Sequence, residues 1–162
     1  MKGYPPSALS LIPRLIERAG NDSETGGSIT AIYTVLADGD DLDDPVVDNA
    51  RAIADGHIIL SRSLAEQGIF PAIDVGKSIS RVAVDIITPE HHQAQTHFRR
   101  LWSIYEEARD LVLMGAYQAG SDPNIDEALA QWPIMVEYLK QKPRELIDFR
   151  TSVGELSSLF SP

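Results

Sequence analysis

The sequence contains no cysteine, and this excludes disulfide bonds and thiolate-bound metals and suits a reducing compartment. Basic residues are also scarce, with 14 Lys and Arg against 24 Asp and Glu and a formal net charge of −10. Because cationic side chains drive binding to nucleic-acid phosphates, this balance argues against nucleic acid as a partner. No apolar run is long enough to cross a bilayer. The remaining composition is typical of a globular protein that buries a core.

The first half of the chain alternates helix and strand patterns, which predicts part of an α/β layer with parallel strands. Pro13 interrupts the first helical pattern, and we expect it to kink that helix or to split it. Ile32 and Leu36 give the first strand a second apolar face, so we expect it to be covered on both sides. The predicted elements are a helix over 7–19, a strand over 28–36, a helix capped by Asp44 over 45–54, a short strand over 57–60 and a helix over 61–66.

The second half is helical only and predicts a small helical bundle. Thr88-Pro89-Glu90 is a helix start, so a domain of residues 1–88 and a second domain of 89–162 are expected to join here. The first helix should run to about residue 114, with buried positions at Phe98, Leu101, Trp102, Tyr105, Ala108, Leu111 and Val112. Further helices are predicted over 122–130, 133–140 and 143–149, followed by an amphipathic turn over 153–160.

Neither the acidic residues nor the histidines predict a metal site. In the loop 38–44, an EF-hand counted from its first aspartate would need Gly where Asp43 stands and Glu where Asn49 stands. A solvated turn that leads into a helix is therefore the better interpretation. The histidines of the long helix, at positions 91, 92 and 97, are not four residues apart and do not share a metal-binding face, so we expect them on an exposed polar face.

The sequence Gly76-Lys77-Ser78 resembles the end of a phosphate-binding P-loop. The full motif requires a glycine at the position of Pro71, and proline also removes one backbone amide from a phosphate cradle. The sequence therefore predicts no P-loop here.

The irregular segment 68–82 separates the two halves and is the main candidate for function, because loops on a rigid scaffold often carry it. It ends in Ser78-Ile79-Ser80-Arg81. Arg81 is either a structural ion-pair partner or an arginine finger that reaches a phosphate bound by another subunit. Phe70 is either part of the core or a flat wall against a purine ring.

Four stretches carry a more specific signal when they are taken together, in order and at their spacing: GSITAIYTVL (27–36), DGHIILSR (55–62), FPAID (70–74) and SISRV (78–82). As a set they resemble the flagellum-specific export ATPases, which are relatives of the type III secretion ATPases and of rotary ATP synthase subunits. GAY (115–117) and GSDP (120–123) are more similar to the flagellar branch than to the virulence branch. Gly76 and Lys77 depart from the family pattern.

The resemblance implies a fold and a set of roles. The chain would be the C-terminal part of a RecA-like P-loop NTPase layer followed by a helical domain, in an ATP- and Mg²⁺-dependent enzyme that forms a homohexamer. Arg81 would act in trans as an arginine finger, and Phe70, Pro71 and Phe149 would form the adenine pocket. Expected partners are the export-apparatus stalk, regulator proteins and chaperone–cargo complexes. The expected location is the cytoplasm, at the cytoplasmic face of the inner membrane and in contact with it only through partners.

In the resembling family the P-loop, the Walker-B aspartate and the catalytic glutamate precede the segment that this chain matches. We therefore expect this chain alone to be inactive and to bind no cofactor tightly, because phosphoryl transfer needs the phosphate cradle and the metal in place. The alternatives are a stand-alone, non-catalytic interaction module and the equivalent part of a virulence type III secretion ATPase.

Overall fold

The computed structural model describes residues 5–37 and 43–160. The chain divides into two compact units, Met1–His57 and Ile58–Pro162. The acidic loop 38–44, which was predicted to be a solvated turn, lies outside the described residues apart from Asp43 and Asp44.

The first unit contains short elements: α1 (Pro6–Leu9), α2 (Leu11–Ile16), β1 (Gly20–Asn21), β2 (Ser28–Ile29), α3 (Pro45–Ile53) and β3 (Gly56–His57). Helix α2 packs against both α1 and α3. The Asp44 carboxylate accepts a hydrogen bond from the Val46 amide at 2.8 Å, which confirms the predicted N-cap of α3.

The helix predicted over 7–19 is split into α1 and α2, which resolves the open alternative at Pro13. The break lies before the proline rather than at it, with Ser10 between the two helices. Proline removes the hydrogen bond to the residue four positions earlier, Leu9, and its ring crowds that carbonyl. Placing Pro13 in the first turn of α2 avoids both costs.

The strand predicted over 28–36 is wrong beyond Ile29. Only Ser28 and Ile29 are paired, antiparallel to β1, and residues 30–37 have no regular structure. Ile32 and Leu36 are 93% and 91% exposed, so the second covered face is also wrong. A strand needs a neighbouring strand to hydrogen-bond with its backbone amides and carbonyls. Within the described residues, only the two residues of β1 pair with this segment.

The second unit begins with a short bridge and helix and continues into a helical bundle. Its elements are α4 (Arg62–Glu66), β4 (Ile79–Ser80), α5 (Ala83–Ile86), α6 (Pro89–Leu113), α7 (Pro123–Leu139) and α8 (Phe149–Ser158). Leu60 and Ile73 form an isolated antiparallel bridge. The two pairings with a described direction are thus antiparallel, whereas the alternation of elements predicted parallel strands.

Helix α6 is the centre of this unit and packs against α7 and α8. Thr88 caps it by accepting a hydrogen bond from the His91 amide at 3.3 Å, as predicted, and Gly115 follows it with a φ of +68°. The core combines α6 with residues of α4, α7 and α8 and with Ile69. Its buried members are Leu64, Ile69, Phe98, Leu101, Trp102, Ala128, Met135 and Leu156. The predicted buried face of α6 is confirmed at Phe98, Leu101, Trp102 and Ala108, whereas Leu111 is exposed.

Two predictions about the helices after α6 are wrong. The separate helices over 122–130 and 133–140 are one helix, α7, with Pro133 inside it. The lost hydrogen bond at Pro133 is offset by burial on both sides, since Ala128 and Met135 are fully buried. The helix predicted over 143–149 is wrong, because residues 143–148 form no helix and α8 begins only at Phe149. Asp148 caps α8 by accepting a hydrogen bond from the Thr151 amide at 2.9 Å.

Candidate functional site

The first half of the segment that leads to Arg81 is held by backbone hydrogen bonds to residues 59–61. The Ser61 amide donates to the Ala72 carbonyl at 2.8 Å, and the Asp74 amide donates to the Ile59 carbonyl at 2.8 Å. Ile69, one residue before Phe70, is buried in the core of the bundle. The irregular segment is therefore fixed although it contains little regular structure.

A tight turn over 74–78 follows. The Asp74 carboxylate accepts a hydrogen bond from the Lys77 amide at 3.1 Å and pairs with the Lys77 ammonium at 3.2 Å. The Ser78 hydroxyl donates to the Asp74 carbonyl at 2.6 Å and accepts from the Ile59 amide at 3.0 Å. Gly76 and Lys77 thus lie at the tip of a turn that is closed by the side chains of Asp74, Lys77 and Ser78.

The turn also lies against α6. The Arg99 guanidinium donates from Nη1 to the Ser78 carbonyl at 2.7 Å and from Nη2 to the Gly76 carbonyl at 3.0 Å. A Cβ atom at Gly76 would lie 3.3 Å from Cδ1 of Trp102, so the glycine permits a close approach to the helix. Two points of α6, one turn apart, therefore contact the same turn.

Arg81 directly follows β4, and its side chain is exposed. Ser80 and Val82 on either side of it are exposed as well. An arginine that acts on a neighbouring molecule requires such a surface position. The exposure supports this candidate role, and the role itself stays a prediction.

Phe70 lies on the surface with 54% of its area exposed, so the alternative of a core residue is wrong. Its carbonyl accepts a hydrogen bond from the Gln141 amide at 2.8 Å, which attaches it to the connection between α7 and α8. That connection leads to Phe149, which is 75% exposed and lies 6.0 Å from the His91 ring between centroids. Pro71, after a cis peptide bond, is exposed beside Phe70.

The histidines of α6 do not all lie on an exposed face. His92 is exposed, whereas His91 and His97 are half-buried, so the prediction is wrong for these two. His97 pairs with Glu127 of α7 at 3.2 Å, and Arg100 pairs with the same carboxylate at 2.8 Å. Across residues 5–37 and 43–160, no three His, Asp or Glu side chains are grouped so that they could hold a metal ion.

Sequence reasoning missed Arg99. Its two acceptors lie 21 and 23 positions earlier in the chain, and no local pattern connects such distant positions. The only signal was indirect: a glycine in an otherwise ordinary turn marks a place where another part of the chain approaches closely.

Comparison with known proteins agrees with this architecture. Residues 1–80 match the family model of the ATP synthase alpha/beta family, nucleotide-binding domain, and residues 87–158 match that of the T3SS EscN ATPase C-terminal domain. The flagellum-specific ATP synthase of Pseudomonas aeruginosa is 49% identical over 160 residues, which cover 99% of this chain and 36% of that protein. The chain belongs to the family of the flagellar and type III secretion ATPases.

Solved structures of this family have the same fold. The assembled ATPase EscN from the type III secretion system of enteropathogenic E. coli matches with a TM-score of 0.90 at 38% identity, over 99% of this chain and 39% of that one. Assembled EscN in complex with its central stalk EscO matches with a TM-score of 0.83 at 38% identity, over 98% of this chain and 37% of that one. The predicted α/β fold class with a helical C-terminal part is confirmed.

This chain spans about a third of the length of the curated relative it matches, which is the 36% given above. None of the described helices combines the length and the apolar character needed to span a membrane.

Proposed function

We propose that this chain is the C-terminal part of an ATPase that energises flagellar protein export, and that it supplies Arg81 in trans to the nucleotide of a neighbouring subunit. The observation that carries the proposal is the exposed Arg81 three residues after a fixed turn, in a chain of the flagellar and type III secretion ATPase family. A permanently charged, planar guanidinium suits the negative charge that develops during phosphoryl transfer.

The trans arrangement requires an oligomer in which one subunit's Arg81 faces the next subunit. The assembled state of EscN supports an oligomer, and we propose a homohexameric ring for the full-length protein. In a ring, each contact is formed by two different surfaces of the subunit. An arginine on one surface then serves the phosphate site on the other.

Phe70 and Pro71 form one wall of the proposed adenine pocket, and Phe149 is the proposed second aromatic. Two features support this: Phe70 is exposed, and Gln141 attaches it to the connection that leads to Phe149. An aromatic face stacks on any base, and each such contact is worth about 1–3 kcal/mol. We therefore propose that these side chains contact the base of ATP.

The phosphate and magnesium sites of the enzyme belong, in this proposal, to the preceding part of the full-length subunit. The sequence contains no Gly-x-x-x-x-Gly-Lys-Ser/Thr motif, and the described residues contain no acidic or histidine cluster for the metal. This chain alone would therefore neither hydrolyse ATP nor bind it tightly. A magnesium-dependent turnover by the purified chain would contradict this part of the proposal.

We further propose that the helical bundle meets the export-apparatus stalk and its regulators and receives chaperone–cargo complexes. The complex of EscN with its central stalk EscO supports the stalk as a partner. The proposed site of action is the cytoplasmic face of the inner-membrane export apparatus, which the enzyme would contact through these partners.

The direct test is the substitution Arg81→Ala in the full-length subunit, with Arg81→Lys beside it. Loss of an arginine finger lowers kcat by about 10³–10⁵-fold. Lysine keeps the positive charge but lacks the planar, forked set of guanidinium donors, so we expect Arg81→Lys to be faster than Arg81→Ala but slower than the parent. Since Arg81 is exposed, both variants should keep the melting temperature of the parent. A folded Arg81→Ala enzyme with unchanged kcat would refute the role.

A further inference from the structure

We propose that Arg99 is a positioning residue for Arg81, through which helix α6 sets the place of the arginine finger. The inference rests on the proposed function and adds a residue that no motif of the sequence marks. Arg99 would not touch the nucleotide. It would act by holding the turn that ends three residues before Arg81.

The contact is a two-point clamp on the backbone. The Arg99 guanidinium donates to the Ser78 carbonyl at 2.7 Å and to the Gly76 carbonyl at 3.0 Å. Hydrogen bonds from a charged donor are about twice as strong as neutral ones. Because guanidinium is planar and rigid, two bonds from one fork fix the orientation of the turn as well as its distance from α6.

Trp102 strengthens the clamp from the same side of the helix. Residues three apart face the same way, so Arg99 and Trp102 present one surface to the turn. Trp102 is buried in the core with only 3% of its area exposed, and its ring lies against Gly76. The turn thus packs against the buried Trp102 ring, while Arg99 binds two of its carbonyls.

The turn passes this constraint on to Arg81. Ser78 bonds through its hydroxyl to Asp74 and to Ile59, and through its carbonyl to Arg99. Three contacts in different directions leave Ser78 little freedom. The two residues of β4 then carry the chain to Arg81, so a displacement of the clamp displaces the guanidinium.

Arg100, the next residue on α6, offers a matched comparison. Its guanidinium donates hydrogen bonds to Glu127 and Asn124 of α7 and not to the turn. Replacing either arginine with methionine keeps an unbranched side chain with high helix propensity and removes the donors. Only Arg99→Met releases the turn.

The experiment measures ATP turnover by the full-length subunit carrying Arg99→Met, Arg100→Met, Arg81→Ala or Arg99→Met with Arg81→Ala. Misplacing a catalytic group by about 1 Å costs up to 10²-fold, so we expect Arg99→Met to lower kcat by about 10- to 100-fold with KM for ATP unchanged. Arg100→Met should stay within about threefold of the parent, as for a surface change. The double variant should be no slower than Arg81→Ala alone, because Arg99 acts only through Arg81.

Each other outcome contradicts the inference in a distinguishable way. If Arg81→Ala lowers kcat but Arg99→Met does not, the positioning role is wrong and the proposed function stands. If the two losses multiply in the double variant, Arg99 acts by another route. If Arg81→Ala itself leaves kcat unchanged, the proposed function fails and the inference fails with it. Should Arg99→Met not fold, Arg99→Lys keeps the charge without the fork, and a kcat equal to the parent's would overturn the clamp.

Discussion

Leu101 tests whether α6 is the centre of the fold as described. The substitution Leu101→Ala removes a side chain with 0% exposure from the cluster that α6 forms with α4, α7 and α8. A fully buried Leu→Ala change costs the lost transfer free energy plus a cavity term, together about 3–5 kcal/mol. For a unit of this size each kcal/mol lowers the melting temperature by about 4–8 °C, so we expect a drop of at least 12 °C.

Leu113→Ala is the matched control, because Leu113 lies on the same helix with 73% exposure. A surface substitution of this kind stays within about 0.5 kcal/mol. Both variants are measured in the same chain by urea unfolding, followed by circular dichroism, and by a thermal scan. Equal losses of stability, or a loss below about 1 kcal/mol for Leu101→Ala, would refute the packing described here.

Two further predictions concern the adenine pocket and the alkaline stability. Phe70→Ala in the full-length subunit should raise KM for ATP about 5- to 100-fold, because it removes one stacking contact with the base. Phe70→Tyr keeps that contact and should leave KM unchanged. Equal KM values for the two variants would contradict the stacking role of Phe70. Burial, chiefly, and the charge of Glu155 raise the pKa of Tyr138 in the folded chain, although a hydrogen bond to Ser152 opposes them. The stability that the neutral phenol contributes is therefore complete below the unfolded pKa of about 10 and is lost as the pH rises through the raised pKa of the folded chain. Tyr138→Phe should therefore reduce the fall in unfolding free energy that is measured between about pH 9 and 11.

Local signals in the sequence predicted the elements whose ends are set by single side chains. Asp44 and Thr88 each precede a proline and cap a helix, and the structure confirms both. The glycine after α6 likewise ends the helix where it was expected to end. These features depend on neighbours within four residues, so the sequence alone is sufficient for them.

Predictions failed where distant contacts decide the outcome. The β-branched residues of 28–36 predicted a strand, but within the described residues β1 pairs only with its first two positions. Pro133 predicted a helix boundary, yet burial of Met135 holds α7 together across it. At the site, the irregular segment 68–82 drew attention to Arg81 and Phe70, and the family resemblance implied their roles. Arg99 could be identified only from the structure, because its acceptors are more than 20 positions away in the chain.

The central claim is that Arg81 serves a neighbouring subunit, and mixed oligomers of the full-length protein test it most directly. One subunit carries Arg81→Ala, and the other keeps Arg81 but carries a substitution of its P-loop lysine; each alone should be inactive. In an equal mixture about one interface in four of a closed ring joins an intact P-loop to an intact Arg81. We predict turnover in the mixture well above the sum of the two separate variants. A mixture no more active than that sum would contradict action in trans.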